Sequence, residues 1–373
     1  MAHAYTPGLR VSDAAVVVRE RRLPLRGDVL VARGDRVAPD TVVARTDLPG
    51  NVQTVNLSGQ LGLEPARVAA ALLQPVGARV ARGAPIASSR GLFGLVRTVV
   101  AAPADGVIES VSAVTGQLVL REPPIPVEMT AYVSGTVVEL LPGEGVRIEA
   151  RGAILQGIFG VGGETFGAIE PVGSGPGDEL RREHLRPEHR GKVLVGGAYV
   201  GIEALLAARE AGAVAVVVGG FDDRDLRELL GRDLGVAITG GENIGLTLVL
   251  TEGFGRIPMA LRTWELLGSH RGRAASVSGA TQIRAGVQRP EILIPHEGVS
   301  GASASDAGGG LEPGVQVRVI REPWFGRIGR VAELPTDLRE LETEARVRVL
   351  VVEFADGGER ALVPRANVER ISA

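Results

Sequence analysis

The segments Gly191-Lys-Val-Leu-Val-Gly-Gly197 and Val214-Ala-Val-Val-Val-Gly-Gly220 decide the fold class in the middle of this chain. Each contains a short, unbroken run of valine, leucine or alanine, which is typical of strands buried on both faces of a parallel sheet. Between them, the apolar residues of 202–211 recur on one side of a helical pattern, which Gly212 closes. The order strand, helix, strand predicts a parallel sheet joined by a right-handed crossover.

The alternation of strands and helices continues to about residue 296. Further helices are predicted at 222–230 and 258–267, and further strands at 236–239 and 246–250. The segment 191–217 also resembles, loosely, the swivelling β/β/α domains of the protease-associated type. The sequence therefore predicts an α/β domain, either with a parallel sheet or of the swivelling type.

The ends of the predicted strands suggest a ligand site. Pairs of glycines follow three of the strands, and parallel-sheet ligands bind outside the carboxyl ends of strands, where glycine lets the backbone come close. The candidate ligand-binding residues are Gly197, Gly220, Asp222, Gly241, Glu242, Asn243 and Glu252, together with Arg284 from the polar stretch that follows. The alternative is that the glycines only permit tight turns and the acids cap the next helices.

Residues 9–172 are rich in strand and turn signals and contain an internal repeat. The placement of valine and glycine in 30–38 returns in 74–87, and the pattern of 102–111 is echoed by 131–140. The first pair predicts two β-hairpin units, and the second predicts short strands on either side of a small-residue bend.

The spacing of 74–87, followed by Ala102-Pro-Ala-Asp-Gly-Val-Ile108, resembles the barrel-sandwich hybrid fold of biotinyl and lipoyl domains. In those families a lysine at a hairpin tip carries the cofactor. The comparable turn here is Asp47-Leu-Pro-Gly50, and the only lysine of the chain is Lys192, outside this region. Covalent biotin or lipoate is therefore excluded here, and no cofactor is expected.

A short amphipathic helix is predicted at 61–73.

The C-terminal residues 311–373 show regular period-two alternation of apolar and polar residues. Strands are expected at 314–320, 327–331, 346–354 and 360–363, with turns at 321–326 and 356–358. The pattern from Leu311 to Ile371, with Gly329 as the second glycine of the motif, resembles the SH3-like barrel of the KOW type. Such barrels occur in ribosomal proteins and NusG-type transcription factors, where they bind RNA or protein.

The candidate partner-binding residues of this barrel are Trp324, Phe325 and Arg327. The two aromatic side chains at a loop tip would anchor a protein or stack on bases. Acidic residues balance the arginines of the barrel, and phosphate neutralisation normally supplies most of the affinity for RNA. A protein partner is therefore predicted, with RNA as an alternative. A structural alternative is that the aromatic pair plugs the mouth of the barrel.

Composition excludes several classes of chemistry. The chain has 373 residues, a formal net charge of −3 and no cysteine, so thiolate metal sites, disulfides and cysteine nucleophiles are absent. No phosphate-binding loop, dinucleotide fingerprint or serine-nucleophile elbow occurs. His184 and His189 are predicted to be exposed, His270 and His296 stand alone in the sequence, and no metal site is predicted.

The N-terminal residues contain no secretion signal, and no apolar run is long enough to span a bilayer, so a cytoplasmic protein without a membrane contact is expected. The predicted architecture is multidomain and β-rich with an α/β middle. Its parts are a barrel-sandwich-hybrid-like region at 9–172, a charged linker at 173–190, an α/β domain at 191–297, a flexible Gly/Ala/Ser linker at 298–310 and a KOW barrel at 311–373.

The function predicted from these features is that of a non-catalytic adaptor. It would bind protein partners through the barrel and the sandwich region, and the resemblance to KOW proteins points to the transcription or translation machinery. A small-molecule-binding or enzymatic α/β domain with its site at the Gly-Gly strand ends is one alternative, and RNA binding is another.

Overall fold

The computed structural model describes residues 9–91, 96–231, 242, 244–281, 289–296, 311–319, 324, 327–335, 338–340, 346–354 and 358–370. The strands are β1 Val11–Arg22, β2 Asp28–Val29, β3 Arg36–Val37, β4 Val42–Leu48, β5 Val52–Asn56, β6 Arg79–Val80, β7 Pro85–Gly91, β8 Val96–Ala101, β9 Gly106–Val111, β10 Gln117–Arg121, β11 Ile125–Thr130, β12 Gly135–Leu141, β13 Gly145–Gln156, β14 Phe159–Val161, β15 Glu164–Pro171, β16 Glu179–Leu180, β17 Lys192–Val195, β18 Tyr199–Val200, β19 Ala215–Phe221, β20 Thr247–Phe254, β21 Ala274–Ser278, β22 Glu291–Pro295, β23 Gln316–Val319, β24 Ile328–Glu333, β25 Leu338–Glu340, β26 Arg346–Phe354, β27 Arg360–Pro364 and β28 Val368–Arg370. The helices are α1 Leu57–Leu61, α2 Ile202–Glu210, α3 Asp223–Leu230 and α4 Leu261–Ser269, with 3-10 helices at Pro65–Ala71, Arg182–His184, Pro187–His189 and Arg365–Asn367. None of these helices has the length and apolar character needed to cross a membrane.

The middle of the chain forms a parallel sheet covered on both faces. Strands β15, β17, β19 and β20 run parallel in that spatial order. Leu194 packs into the cluster formed with α2 and α3, whereas Val193 and Val195 pack into the cluster that includes Leu267 of α4. Burial of both faces explains the unbroken apolar runs in the sequence. The parallel sheet is thus confirmed, while the predicted strand at 236–239 lies outside the described residues.

The parallel sheet continues without a break into antiparallel strands. The order runs from β15 through β21 and β22 to β13 and β12, and β1 pairs with the other edge of β13. The sequence predicts that residues 145–171 belong to the barrel-sandwich-hybrid-like region, but their strands β13 and β15 lie in the same sheet as the α/β domain. The stretch 173–190 also differs from a linker, because β16 pairs with β18 and both Leu180 and His189 are buried.

The internal repeat is confirmed by matching main-chain hydrogen bonds. In one copy β3 pairs with β12, and in the other β6 pairs with β9. The N–H of Gly34 donates to the carbonyl of Val137 at 2.7 Å, and the N–H of Gly77 donates to that of Ile108 at 2.7 Å. The next turns also match, because the N–H groups of Thr41 and Ala84 donate to the carbonyls of Ala38 and Ala81, and those of Ala131 and Ala102 donate to the carbonyls of Thr41 and Ala84. Two modules therefore share one arrangement of the backbone.

The second module is inserted into the first. Strands β4 and β11 pair, and their continuations β5 and β10 pair as well, so a two-stranded ribbon leads out to the inserted residues 52–121 and back. The turn Asp47–Gly50, compared above with a cofactor-bearing hairpin tip, instead lies within this ribbon. A Cβ atom on Gly50 would be 2.0 Å from the carbonyl oxygen of Glu122. The two sides of the ribbon therefore come so close at this point that only glycine fits.

The helix predicted at 61–73 is divided in two. Helix α1 ends at Leu61, where Gly62 takes a left-handed conformation with φ of 62°. The 3-10 helix Pro65–Ala71 follows with proline in its first turn and buries Val68 completely in the core of the inserted module. The amphipathic pattern therefore marks a buried contact correctly, while Gly62 interrupts the helix.

The C-terminal unit is built from antiparallel strands. In the described part of this unit the order is β25, β26, β24, β23 and β28, with β27 paired to β26. A separate core forms around Val317, Leu350 and Phe354. Gly329 allows β24 and β26 to come close, because an added Cβ would lie 2.5 Å from the carbonyl oxygen of Glu353. The linker predicted at 298–310 lies outside the described residues.

Replacement of Gly219 by alanine should destabilise the α/β sheet strongly. The added Cβ would lie 2.0 Å from the main-chain oxygen of Ile257, which cannot rotate away, and overpacking of this kind costs roughly 2–3 kcal/mol. Gly268→Ala is the matched control, since nothing lies within 4 Å of its Cβ position in α4 and alanine there should add about 0.5–1 kcal/mol. Urea unfolding of both variants tests this; equal stabilities would contradict it.

Candidate functional site

The Gly-Gly strand ends are filled by the protein's own main chain. A Cβ on Gly197 would lie 2.5 Å from the carbonyl oxygens of both Gly175 and Asp178, and one on Gly220 would lie 2.0 Å from that of Gly255. Loops 173–178 and 255–259 therefore lie over the carboxyl edge of the sheet. The glycines make room for these loops, which is the same property that would have admitted a ligand.

Two acids of the predicted ligand site accept main-chain hydrogen bonds at the starts of helices. Asp222 is the N-cap of α3 and accepts a hydrogen bond of 2.8 Å from the N–H of Arg224. Glu252 accepts one of 3.0 Å from the N–H of Ala260, the N-cap residue of α4. Glu242 is half-buried and engaged in interactions of its own. Gly241, Asn243 and Arg284 lie outside the described residues.

The same edge of the sheet carries a compact polar cluster. The guanidinium of Arg256 lies over the ring of Tyr199, 4.6 Å from its centroid, and also forms an ion pair with Glu179. Burial raises the pKa of the Tyr199 hydroxyl, and the nearby carboxylates of Asp225 and Asp222 raise it further. Tyr199 is therefore neutral at physiological pH, and the cluster around it combines residues of β16, the start of α3 and the segment after β20.

The charged stretch before β17 lines a polar cavity of about 400 Å³ together with Glu170, Lys192 and Arg271. Glu170 receives hydrogen bonds of 2.7 Å from both Lys192 and Arg271, and the Lys192 bond holds the pKa of that carboxyl below its usual range. His189, expected to be exposed, is only 6% exposed, and burial lowers its pKa. Its Nδ1 accepts a hydrogen bond of 3.2 Å from the N–H of Arg186.

The predicted partner-binding residues of the C-terminal unit gather around one ring. Trp324 is half-buried, with its ring centroid 6.4 Å from that of Phe354. The guanidinium carbon of Arg327 lies 3.9 Å from the centroid of the same phenylalanine, and Arg327 pairs with Glu359 at 2.8 Å. Trp324 and Arg327 thus both lie against the ring of Phe354. Phe325 lies outside the described residues.

A cluster of side chains that the sequence leaves far apart forms at the N-terminal strand. Asp13, His270 and His296 each present a ligand atom, and these atoms lie within 4.8 Å of one another. Nε2 of His270 is 2.7 Å from Oδ1 of Asp13, and Nε2 of His296 is 2.7 Å from the main-chain oxygen of Asp13. Sequence reasoning missed this cluster because no spacing rule links residues so distant; its only signal was the scarcity of histidine, five in the whole chain.

Comparison of the sequence with protein-family models gives no match, and comparison with curated proteins gives no significant similarity. The functional assignment therefore rests on the geometry of the described residues.

Asp222→Ala should lower the free energy of unfolding by about 1 kcal/mol, the usual cost of losing an N-cap side chain. Asp222→Asn should retain most of the stability, since the asparagine carbonyl oxygen can accept the same hydrogen bond from Arg224. Urea unfolding of the two variants measures the difference. Equal losses for alanine and asparagine would show that Asp222 does not act as a cap.

Stability should fall between pH 7 and pH 5 in part through His189. Its folded-state pKa lies below the usual value of 6.5 because it is buried, so the unfolded chain binds the proton more readily and the stabilisation is lost as pH falls below that value. His189→Gln should flatten this part of the curve of unfolding free energy against pH. Identical slopes for the natural protein and the variant would contradict the assignment.

Proposed function

We propose that this chain is a non-catalytic binding protein that holds a protein partner through its C-terminal unit, with the nested β modules as an accessory docking region. The observation that carries the proposal is the ordered group formed by Trp324, Arg327 and Phe354. Tryptophan and arginine are the residues most enriched among the energetic anchors of protein interfaces.

The side chains of the group contact one another within the chain itself. Arg327 is fixed by its stacking on Phe354 and by its ion pair with Glu359, while Trp324 packs on the core and still exposes part of its ring. Immobilising a rotamer-rich side chain on binding costs about 0.5–1.5 kcal/mol. A surface whose arginine and tryptophan are already held avoids much of that cost, which favours recognition at this position.

The charges of the unit favour a protein over RNA. Arg327 is paired with Glu359, and Arg360 is paired with Glu353 and Glu333. Binding of a phosphate backbone draws its free energy from cations that neutralise phosphates and release counterions. Arginines already neutralised by neighbouring carboxylates, in a chain with a net charge of −3, give little of that energy.

The proposal includes the finer fold assignments. The C-terminal strands with Gly329 in β24 support a KOW-type SH3-like barrel, and the matching hydrogen bonds of the two nested modules support a lysine-free relative of the barrel-sandwich hybrid. In KOW proteins such a barrel contacts the transcription or translation machinery. That machinery is accordingly the partner class proposed for this chain.

The strand ends beside Gly197 and Gly220 do not favour a small-molecule site. Asp222 and Glu252 already accept main-chain hydrogen bonds, and the main chain itself occupies the space beside Gly197 and Gly220. An enzymatic or small-molecule role would need open space beside these residues.

Trp324→Ala and Arg327→Glu should each weaken capture of the partner at least ~30-fold, since anchor residues contribute about 2 kcal/mol or more. The measurement is cross-linking capture by the full chain, with mass-spectrometric identification before and after nuclease treatment. Leu362→Ala is the control, because Leu362 lies on β27 of the same unit and is 42% exposed.

Thermal unfolding of each variant separates loss of binding from loss of folding, and Arg327→Glu leaves the packing of Trp324 in place. Folded variants that capture the same protein as strongly as the natural chain would refute the proposal. Capture that disappears on nuclease treatment would replace the protein partner with RNA.

A further inference from the structure

We propose that Asp13, His270 and His296 form a binding site for a divalent cation of the zinc class. The site is independent of the proposed partner surface, because it lies where the N-terminal strand meets the α/β sheet. The ligand atoms would be Nε2 of each histidine and Oδ1 of Asp13, and each of the three side chains has a ligand atom within 4.8 Å of the other two.

Three separate elements deliver the three side chains. Asp13 lies in an irregularity of β1, where the register with β13 shifts between Ser12 and Ala15. His270 is the C-cap residue of α4. His296 directly follows β22, and its N–H donates to the carbonyl of Arg151 on β13. Because each element belongs to the same packed sheet and its covering helix, the donors are held in place by the fold.

The donor set selects the class of ion. Imidazole nitrogens suit zinc and its first-row neighbours, whereas calcium and magnesium take oxygen ligands. Two histidines and one carboxylate are three protein ligands of the kind that zinc accepts. Burial supports this role, since the side chain of His270 is 9% exposed and that of His296 is 12% exposed.

The distances lie close to those that a metal ion needs. Nε2 of His270 and of His296 are 2.7 Å and 3.6 Å from Oδ1 of Asp13. Bonds of about 2.0–2.1 Å in tetrahedral geometry place ligand atoms roughly 3.3 Å apart. A shift of about half an ångström at Asp13 would bring both of these distances to that value. Asp13 can make it, because its side chain is 65% exposed and lies in the irregular part of β1.

The hydrogen bonds of this cluster do not satisfy it completely. His270 Nε2 is bonded to Asp13, yet its buried Nδ1 has no hydrogen-bond partner among the described residues. Coordination through Nε2 would leave the ring proton on Nδ1, so the ion would bind the nitrogen that already faces Asp13. Metal binding would replace the protons shared between the two histidines and Asp13, and the exposed side of Asp13 leaves room for water as a further ligand.

Occupation of the site would fasten the start of the chain to the α/β domain. Asp13 is separated from His270 by 257 residues and from His296 by 283. An ion that binds only the folded arrangement stabilises it in proportion to the logarithm of its concentration. The nested modules, which follow β1 in the chain, would be tied to the sheet at the point where β1 begins.

The test uses the full chain, stripped with a chelator and then titrated with Zn²⁺ and with Co²⁺, whose visible absorption reports its ligand geometry. One ion per chain is expected, with a rise in the thermal unfolding temperature on adding Zn²⁺. His270→Gln, His296→Gln and Asp13→Asn should each weaken the affinity at least ~100-fold, more than the loss of an outer-shell group. Glutamine retains an N–H donor for Asp13, so these variants should still fold.

His184→Gln is the matched control, because it removes one histidine from a 3-10 helix that is not part of the cluster. It should bind Zn²⁺ and Co²⁺ as the natural chain does. The proposal is overturned if the stripped chain binds no stoichiometric ion at micromolar concentration. It is equally overturned if folded His270→Gln and His296→Gln variants bind as well as His184→Gln, which would identify adventitious binding elsewhere.

Discussion

The long strand β13 is the constraint on which the rest of the structure depends. One of its edges pairs with β1 over almost its whole length, and its other edge pairs first with β12 and then with β22. Pairing with β12 attaches the repeat modules, while pairing with β22 attaches the α/β sheet. Gly152 permits the second contact, since a Cβ there would lie 2.0 Å from the carbonyl oxygen of Ile294. The modules and the α/β domain therefore share hydrogen bonds and an apolar core, in which Ile154 of β13 and Leu293 of β22 lie together with residues of the outer module.

Ion pairs reinforce this shared region without being its source of stability. Arg19 on β1 forms a two-point contact with Glu291 on β22, and Arg21 forms one with Glu164 on β15. Pairing of partly buried charges recovers little more than their desolvation costs, so the apolar core supplies most of the stabilisation. The pairs instead penalise any other register, because a shift of one residue would turn the arginines to the opposite face of the sheet.

Local features of the fold could be predicted from the sequence, and distant pairings could not. Helices α2 and α3, the strands around Leu194 and Val217 and the repeat all follow from patterns within a few residues. The continuity of the sheet through β13 depends on which edges meet, which residue periodicity does not encode. The cluster of Asp13, His270 and His296 could not be predicted for the same reason, because its members are far apart in the sequence. At the strand ends the glycines predict a close approach, and beside Gly197 and Gly220 it is the neighbouring main chain that makes it, because glycine admits a ligand and a loop equally well.

The two repeat modules differ in backbone conformation at one equivalent position. Tyr132 has a φ of 67°, which is unfavourable for a residue with a side chain, and it is almost fully buried. The equivalent position of the inserted module is Pro103, whose ring forbids a positive φ. The arrangement that the two modules share therefore does not require the strained conformation. Among the described residues of the two modules it occurs only at Tyr132, whose hydroxyl lies 3.4 Å from Glu291 on the α/β sheet and whose pKa is raised well above its usual value by burial. The strained conformation places the Tyr132 hydroxyl at Glu291, so strain in the outer module accompanies its attachment to the α/β sheet.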